Sequence, residues 1–382
     1  MNFKDLGINE NLILTLKKHG IATPTPIQSE SIPYILNNKD IIGEAKTGTG
    51  KTLSFLIPIF QKINSKNNNT QILILSPTRE LAIQITDEAK KLNVNDDINI
   101  LAAYGGKDIG SQLKKLKNSI HIIVATPGRL LDHIERKTVD LGKLETIVID
   151  EADQMLLMGF KNEIEEIMKV SSKKHQTLCF SATIDSKVKK LAYRYMTDPI
   201  FIDIKDENVT VDTITQEVVE TTDRWKADCL AKAINEDNPF IAIIFCRTKR
   251  RADELEVKLS AKGIKAQKIH SDVPQNKRER IMRSFRKGDV QFLIATDVAS
   301  RGIDVSNVTH IYNYDIPETP ETYIHRVGRT GRAGDDGYAC TFIDPKNERI
   351  LSEIEEKLNF KLKRRIIEFR SVSYTHLTLP TT

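Results

Sequence analysis

Residues 45–52 read AKTGTGKT, a glycine-rich segment from which the class of fold can be inferred. It follows the apolar pair Ile41-Ile42 and opens a run of residues with helical spacing. A glycine-rich loop between a strand and a helix has the pattern of a phosphate-binding P-loop, here with Ala45 in place of the first glycine. Gly48 and Gly50 let backbone N–H groups curl around phosphate oxygens, and the helix N-terminus adds its positive dipole end.

The end of this loop supplies the side chains that a bound nucleotide needs. Lys51 is predicted to reach the β- and γ-phosphates, and the Thr52 hydroxyl is predicted to bind Mg²⁺. The phosphates are predicted to be cradled by the rest of the loop, namely Ala45, Thr47, Gly48, Thr49 and Gly50. The alternative is a glycine-rich turn of an unrelated α/β protein.

Apolar, β-branched runs alternate with amphipathic stretches along the chain. The predicted strands are Gln71–Ser76, Ile98–Ala103, His121–Thr126, Thr146–Asp150, Gln176–Ser181, Ile200–Ile204, Ile214–Glu220, Phe240–Cys246, Ala266–His270, Val290–Thr296, Thr309–Asp315 and Tyr338–Ile343. The predicted helices are Thr52–Asn64, Arg79–Leu92, Ile109–Leu116, Asn162–Val170, Arg224–Asn235, Lys249–Ser260, Asn276–Arg286 and Lys346–Leu358. Such alternation predicts an α/β fold with two mainly parallel sheets, each covered by helices on both faces.

Domain boundaries follow from this alternation and from local composition. At about 150 residues per domain, 382 residues correspond to two to three domains. We predict a first domain over residues 1–204, a polar linker over 205–213 (KDENVTVDT) and a second domain over 214–365. Residues 371–382 (SVSYTHLTLPTT) carry no charge, and we interpret them as a non-native tail at a fragmentary gene end. The native protein would then continue beyond Arg370.

Composition excludes several classes of protein. The chain is 40% hydrophobic and 29% charged, which is typical of a globular protein and not of a disordered one. A net charge of +5 permits a polyanionic partner without requiring one. No run approaches the roughly 18 apolar residues of a membrane span. The four cysteines form no Cys-x-x-Cys pair, which argues against a disulfide framework or a zinc site and favours a cytoplasmic protein.

Two adjacent acids follow the buried strand Thr146–Asp150. Asp150 is predicted to hold Mg²⁺ through water ligands, and Glu151 is predicted to polarise an attacking water. A strand can end in a carboxylate by chance, but two acids downstream of a P-loop form a much more specific pattern.

Three arginines separated by glycines lie in residues 325–334 (HRVGRTGRAG). Arg326, Arg329 and Arg332 are predicted to stabilise charge on the γ-phosphate as arginine fingers that the second domain brings to the first. The alternatives are a solvated face or a patch that binds nucleic-acid phosphates.

Asp150-Glu151-Ala152-Asp153 spells the signature of the DEAD-box RNA helicases, and the chain resembles that family from about Phe3 to Leu358. The Ile-, Asn- and Lys-rich composition suggests a bacterial member. The resemblance implies two tandem RecA-like domains, ATP and Mg²⁺ as cofactors, and RNA as the partner. Phe3 and the segment Pro24–Gln28 (PTPIQ) resemble the adenine-recognition region, in which Gln28 would hydrogen-bond the adenine edge.

The resemblance also assigns the remaining motifs. RNA-binding motifs are matched by Pro77, Thr78, Arg79, Gly105, Gly106, Thr126, Pro127, Gly128, Arg129, Arg247, Thr248, Gln275, Arg278 and Thr296. Ser181-Ala182-Thr183 resembles the motif that couples hydrolysis to strand separation. Gly302 and Asp304 are expected near the ribose. The catalytic set that the family pattern implies is Lys51, Asp150, Glu151, His325, Arg329 and Arg332.

The residues in these RNA motifs suit phosphates and sugars, which position a protein without specifying sequence. The predicted function is therefore an ATP-dependent RNA helicase that unwinds short duplexes locally or remodels ribonucleoproteins. Two alternatives stay open, a processive DNA helicase of the same superfamily and a non-catalytic RNA clamp. The core is expected to be monomeric, and ribosomal or RNA-decay proteins are the expected protein partners.

Overall fold

The computed structural model describes residues 1–45, 48–94, 96–106, 119–204, 214–300, 308–331 and 336–367, with Val298 and Ser300 described by backbone alone. They fall into two compact units, the first mainly from residues up to 204 and the second mainly from residues 214 onward. The predicted linker 205–213, the predicted helix Ile109–Leu116 and the tail 371–382 lie outside the described residues.

The first unit is built on a sheet of seven parallel strands. These are β1 (Ile41–Glu44), β2 (Ile72–Leu75), β3 (Ile100–Ala103), β4 (Ile122–Ala125), β5 (Thr146–Asp150), β6 (Gln176–Ser181) and β7 (Ile200–Asp203), arranged in the order β3-β4-β2-β5-β6-β1-β7. Its described helices are α1 (Glu10–Lys18), α2 (Pro26–Leu36), α3 (Lys51–Lys62), α4 (Arg79–Leu92), α5 (Pro127–Glu135), α6 (Ala152–Leu157), α7 (Lys161–Val170) and α8 (Ser186–Tyr195).

Both faces of this sheet are buried, which explains why its strands read as nearly continuous apolar runs. One face contributes Ile74, Val148 and Phe180 to a cluster with helices α1 to α4. The opposite face packs Ile147 and Cys179 against helices α5 to α8.

The second unit repeats this plan. Its strands are β8 (Ile214–Glu220), β9 (Ala242–Cys246), β10 (Ala266–Ile269), β11 (Phe292–Thr296), β12 (His310–Asn313), β13 (Gly337–Ile343) and β14 (Lys363–Arg364), in the parallel order β10-β11-β9-β12-β13-β8-β14. Its described helices are α9 (Lys226–Asp237), α10 (Lys249–Ser260), α11 (Gln275–Lys287), α12 (Asp297–Ser300), α13 (Pro320–Val327) and α14 (Glu348–Leu358), with a 3₁₀ turn at Pro345–Asn347.

The predicted fold class, two mainly parallel sheets surrounded by helices, is confirmed. Several short helices were absent from the prediction, among them α5 and α13. Both begin with a threonine N-cap followed by proline, so their starts resemble loops when the sequence is read alone. None of the described helices is long and apolar enough to cross a membrane.

Candidate active site

The predicted motifs of the first unit share one edge of its sheet. Parallel strands all end at the same edge, and each motif begins where a strand ends. The P-loop, the acidic pair and the Ser-Ala-Thr motif follow the neighbouring strands β1, β5 and β6. The predicted RNA motifs follow β2, β3 and β4, which form the other end of the sheet. After the predictions for these motifs, we call the end of the edge at β1, β5 and β6 the nucleotide half and the end at β2, β3 and β4 the RNA half.

The P-loop turns sharply between β1 and α3. Gly48 and Gly50 adopt φ angles of +85° and +94°, a backbone region that favours glycine. Helix α3 begins at Lys51, whose side chain is buried and whose ammonium donates a hydrogen bond to the Ala45 carbonyl. The Ala45 N–H donates to the carbonyl of Ser181 at 3.0 Å, which ties the loop to β6. Thr47 lies outside the described residues.

Gln28 connects the predicted adenine-recognition segment to this loop. Its Oε1 accepts the Thr25 N–H at 3.1 Å, and its Nε2 donates to the Gly50 carbonyl at 3.1 Å. A Cβ atom at position 50 would lie 2.5 Å from that Nε2, so a larger residue there would displace the Gln28 amide. Phe3 is only 2% exposed and packs in the hydrophobic core, and its contact with a nucleotide stays a prediction.

The two acids after β5 are both buried. Asp150 is 3% exposed and Glu151 is 8% exposed. The pKa of Asp150 is raised to about 7, mainly by burial and also by the neighbouring Glu151 charge, while the Lys51 ammonium opposes the shift. A divalent cation beside Asp150 would offset this cost of burying charge, so the residues present fit a metal-bound nucleotide.

Glu151 has a left-handed backbone, with φ +52° and ψ 51°. That conformation costs a non-glycine residue roughly 1–2 kcal/mol. Asp150 stabilises the turn because its Oδ1 accepts the Glu151 N–H at 3.0 Å. Strained backbone of this kind is frequent at active sites, where the surrounding structure holds a side chain in place.

The Ser-Ala-Thr motif is bonded directly to the acidic segment. The Asp153 N–H donates to Ser181 Oγ at 3.2 Å, and the Thr183 hydroxyl donates to Asp153 Oδ2 at 3.1 Å. Since Ser181 also accepts the Ala45 N–H, one short segment contacts both the acidic motif and the P-loop. Hydrogen bonds within the first unit therefore connect the P-loop, through Ser181 and Asp153, to Thr183.

On the RNA half, some of the predicted side chains stabilise the local backbone and others lie along the edge of the sheet. Thr78 caps α4 by accepting the Leu81 N–H at 3.2 Å. The Arg79 guanidinium lies against Gly105 and Gly106, where an added Cβ would come within 2.9 and 2.5 Å of its nitrogens. These two glycines leave room for the arginine. The other predicted residues here are Pro77, before α4, and Thr126, Pro127, Gly128 and Arg129, at the start of α5.

The second unit places its predicted RNA residues at the carboxyl ends of its own strands. Arg247 and Thr248 follow β9, and Thr248 caps α10 by accepting the Arg251 N–H at 3.3 Å. Thr296 ends β11. Gln275 and Arg278 lie in the first turn of α11.

Arg326 differs from what the sequence predicted. The arginine–glycine pattern predicts an arginine finger at this position, yet the Arg326 Nε and Nη2 donate to Asp297 at 2.6 and 2.7 Å. Its Nη1 donates to Asn313 Oδ1 at 3.2 Å and to the Asp315 carbonyl at 2.7 Å. The guanidinium forms all four of these hydrogen bonds inside the second unit, and Arg326 is only 3% exposed. Arg326 therefore has a structural role.

The other predicted residues of this region are placed in part. His325 lies in the last turn of α13, and the buried Arg329 follows that helix. Arg332, Gly302 and Asp304 lie outside the described residues. The sequence contains one signal for the structural role of Arg326, because two polar residues, Asn313 and Asp315, close together at the end of the predicted strand Thr309–Asp315 need polar partners if they are buried.

Comparison with known proteins agrees with this geometry. The DEAD/DEAH box helicase model matches residues 25–191, and the helicase conserved C-terminal domain model matches residues 225–334. The chain is 46% identical over 364 residues to the DEAD-box ATP-dependent RNA helicase CshA of Bacillus subtilis (strain 168), covering 95% of this chain and 74% of that protein. This chain belongs to the DEAD-box ATP-dependent RNA helicases.

Solved structures of DEAD-box helicases have the same architecture. Dbp5 of S. cerevisiae bound to RNA and ADP BeF3 matches with a TM-score of 0.88 at 30% identity, covering 96% of this chain and 95% of that one. Mss116p bound to ssRNA and AMP-PNP matches with a TM-score of 0.84 at 32% identity, covering 96% and 78%. The predictions of the family, of tandem RecA-like domains and of an ATP-dependent RNA helicase are confirmed.

Proposed function

We propose that this helicase hydrolyses ATP at the nucleotide half of the first sheet edge and holds the RNA backbone with the RNA half. The observation that carries the proposal is the connection of Ala45, Ser181 and Asp153 by hydrogen bonds beside the buried acidic pair. ATP turnover with and without single-stranded RNA tests it, with DNA of the same sequence as the comparison. Stimulation by DNA equal to that by RNA would favour the DNA-helicase alternative.

Lys51, Thr52 and Asp150 are proposed to hold ATP and Mg²⁺. Lys51 is buried within the electrostatic reach of Asp150, and Thr52 follows it in the first turn of α3. When bound, Mg²⁺ neutralises part of the phosphate charge and orients the phosphate oxygens. No group of three acidic, histidine or cysteine side chains that could hold a metal is found among the described residues. A hydroxyl and one carboxylate suffice where the phosphates supply further ligands.

The hydrolytic roles are proposed as follows. Glu151 orients the attacking water, because its carboxylate stands beside Asp150 at the end of β5. Arg329 and Arg332 stabilise the γ-phosphate charge, and His325 links the acidic and Ser-Ala-Thr motifs. Gly302 and Asp304 lie near the ribose. The loop residues Ala45, Thr47, Gly48, Thr49 and Gly50 cradle the phosphates.

Gln28 is proposed to select adenine while it supports the P-loop. An amide side chain has two N–H donors and two acceptor lone pairs. One of each contacts Gly50 and Thr25, so the geometry leaves one donor and one acceptor for the adenine edge. Phe3 is proposed to cover the base.

Gln28→Glu should weaken both functions of this side chain, because a carboxylate cannot donate to the Gly50 carbonyl. We expect KM for ATP to rise about tenfold. This corresponds to the loss of about one hydrogen bond between uncharged groups, which leaves the Gly50 carbonyl without its donor. Preference for ATP over GTP should fall in the same assay. The exposed Glu30, changed to Gln on the same helix, is the control. An unchanged ratio of ATP to GTP turnover would contradict the adenine role.

The RNA contacts are proposed to be made by the fourteen motif residues matched above, through hydroxyls, backbone N–H groups and guanidinium groups. Such groups bind phosphates and sugars, so the core is expected to bind RNA without sequence preference. Closure of the two domains on RNA would favour a bent single strand, so that short duplexes would open locally.

Ser181→Ala combined with Thr183→Val should uncouple hydrolysis from unwinding. The change removes both side-chain bonds to Asp153 but leaves the backbone bond between Ser181 and Ala45. We expect RNA-stimulated ATP turnover to stay within about threefold and unwinding of a short duplex to fall at least tenfold, since each lost hydrogen bond is worth about 1 kcal/mol. Parallel loss of both activities would show that the motif does not act as a coupler.

The finer organisation of the protein is also proposed. Residues 1–204 and 214–365 form the two domains, joined by a linker at 205–213. All four cysteines are free and buried, which suits a reducing cytoplasm. The core acts as a monomer, with ribosomal or RNA-decay proteins as partners.

A further inference from the structure

Helix α11 of the second unit has two contrasting faces. Its inward face carries Ile281, Met282 and Phe285, which are 4%, 4% and 0% exposed. At 3.6 residues per turn, the opposite side of the helix is centred on Arg280 and Arg283. Five exposed cations lie on that side, and we call them the basic face: Lys277, Arg280, Arg283, Arg286 and Lys287.

The basic face has no ion-pair partner within the described residues. The preceding helix α10 is different, because the three cations of its first turn each meet a carboxylate. Lys249 lies 2.8 Å from Asp272, Arg250 lies 2.8 Å from Glu254, and Arg251 lies 2.7 Å from Asp315. The single acid of α11, Glu279, is half-buried at the border between its two faces.

Helix stability does not account for this pattern. Arg286 and Lys287 suit the C-terminal end of the helix dipole, but Lys277 lies in the first turn, where the dipole favours acids. Like charges three or four positions apart, such as Arg280 and Arg283, destabilise a helix by about 0.2–0.5 kcal/mol per pair. A polyanion bound to the basic face would attract these cations and offset the repulsion between them.

The position of α11 identifies the polyanion. The helix begins after β10, at the same sheet edge that presents Arg247, Thr248 and Thr296, and β10 is the outermost strand of its sheet. Its 13 residues extend about 20 Å from that edge. We propose that the basic face binds the phosphate backbone of RNA that flanks the segment held by the motifs. This inference rests on the proposed RNA binding at that edge.

The test changes all five basic-face residues to Gln, which keeps a favourable helix propensity. Binding is measured by fluorescence anisotropy at several salt concentrations, with a non-hydrolysable ATP analogue present. One RNA is a short single strand, and the other is the same strand with a duplex at each end. If the variant with all five substitutions does not fold, the same measurements are made on a triple variant, Arg280→Gln with Arg283→Gln and Lys287→Gln.

We expect the variant to bind the extended RNA about tenfold more weakly than the wild type at low salt. The slope of log K against log salt should fall by about 2, as expected for about three lost phosphate contacts. Affinity for the short strand should change less than twofold. The control changes five exposed lysines of the first unit to Gln, namely Lys17, Lys18, Lys173, Lys174 and Lys190, which alters the net charge equally.

Equal affinity and equal salt slope for variant and wild type on the extended RNA would overturn the proposal, and this is also the result if the face binds an acidic protein instead. An equal loss in the control would overturn it as well, since net charge alone would then explain the effect. A different result would contradict the proposed function itself, namely that the short strand does not stimulate ATP turnover by the wild-type protein.

Discussion

Glu151→Gln is expected to lower RNA-stimulated ATP turnover by about 100-fold while ATP binding is retained. Glutamine keeps the shape of the side chain but cannot accept a proton, and a positioned general base contributes typically 10²–10⁴ in rate. The substitution also removes one of two adjacent buried charges. Because the Glu151 carboxylate helps to raise the pKa of Asp150, its loss should lower that pKa and favour the ionised form of the carboxylate that we propose as the metal ligand.

Single-turnover hydrolysis and equilibrium binding of a fluorescent ATP analogue separate these effects. The matched control is Glu145→Gln, which makes the same chemical change just before the amino end of β5 at an exposed position. We expect the control to stay within about twofold of wild type, as is usual for a surface substitution. Unchanged turnover in Glu151→Gln would remove this residue from the mechanism, and loss of ATP binding would assign it to the nucleotide pocket instead.

Much of this arrangement was predictable because it is local in sequence. Every residue of the run Thr146–Asp150 before the last is β-branched, so both its strand and its acidic end could be identified. Helix α4 was predicted with correct bounds because Thr78 supplies a cap and apolar residues recur at helical spacing. Motifs placed directly after strands then had to meet at one edge of a parallel sheet.

The sequence could not predict features that depend on distant residues. The order of the strands rests on pairing between segments such as β1 and β6, which lie far apart in the chain. The left-handed backbone of Glu151 is maintained by the surrounding structure, and the residue type alone does not indicate it. The hydrogen bond from Thr183 to Asp153 spans 30 positions. Arg326 was misassigned for the same reason, since its partners lie on other elements.

Arg326→Ala is expected to destabilise the second unit by about 3 kcal/mol, near the lower limit for breaking a buried ion pair because Asp297 is partly exposed. The change removes four hydrogen bonds and strands the polar groups of Asp297, Asn313 and Asp315. Urea unfolding followed by circular dichroism measures the loss. Arg326→Lys should recover only part of it, because an ammonium cannot reproduce the forked contact with a carboxylate.

Arg329→Ala, three residues further on, is expected to have the opposite profile. If Arg329 is an arginine finger, its removal should lower ATP turnover by about 10³. RNA affinity should change less than twofold and the free energy of unfolding should fall much less than in Arg326→Ala. Equal loss of hydrolysis and RNA affinity would instead assign Arg329 to a phosphate patch on RNA. A large loss of stability with intact turnover per folded molecule would place it, like Arg326, among the residues that hold the second unit together.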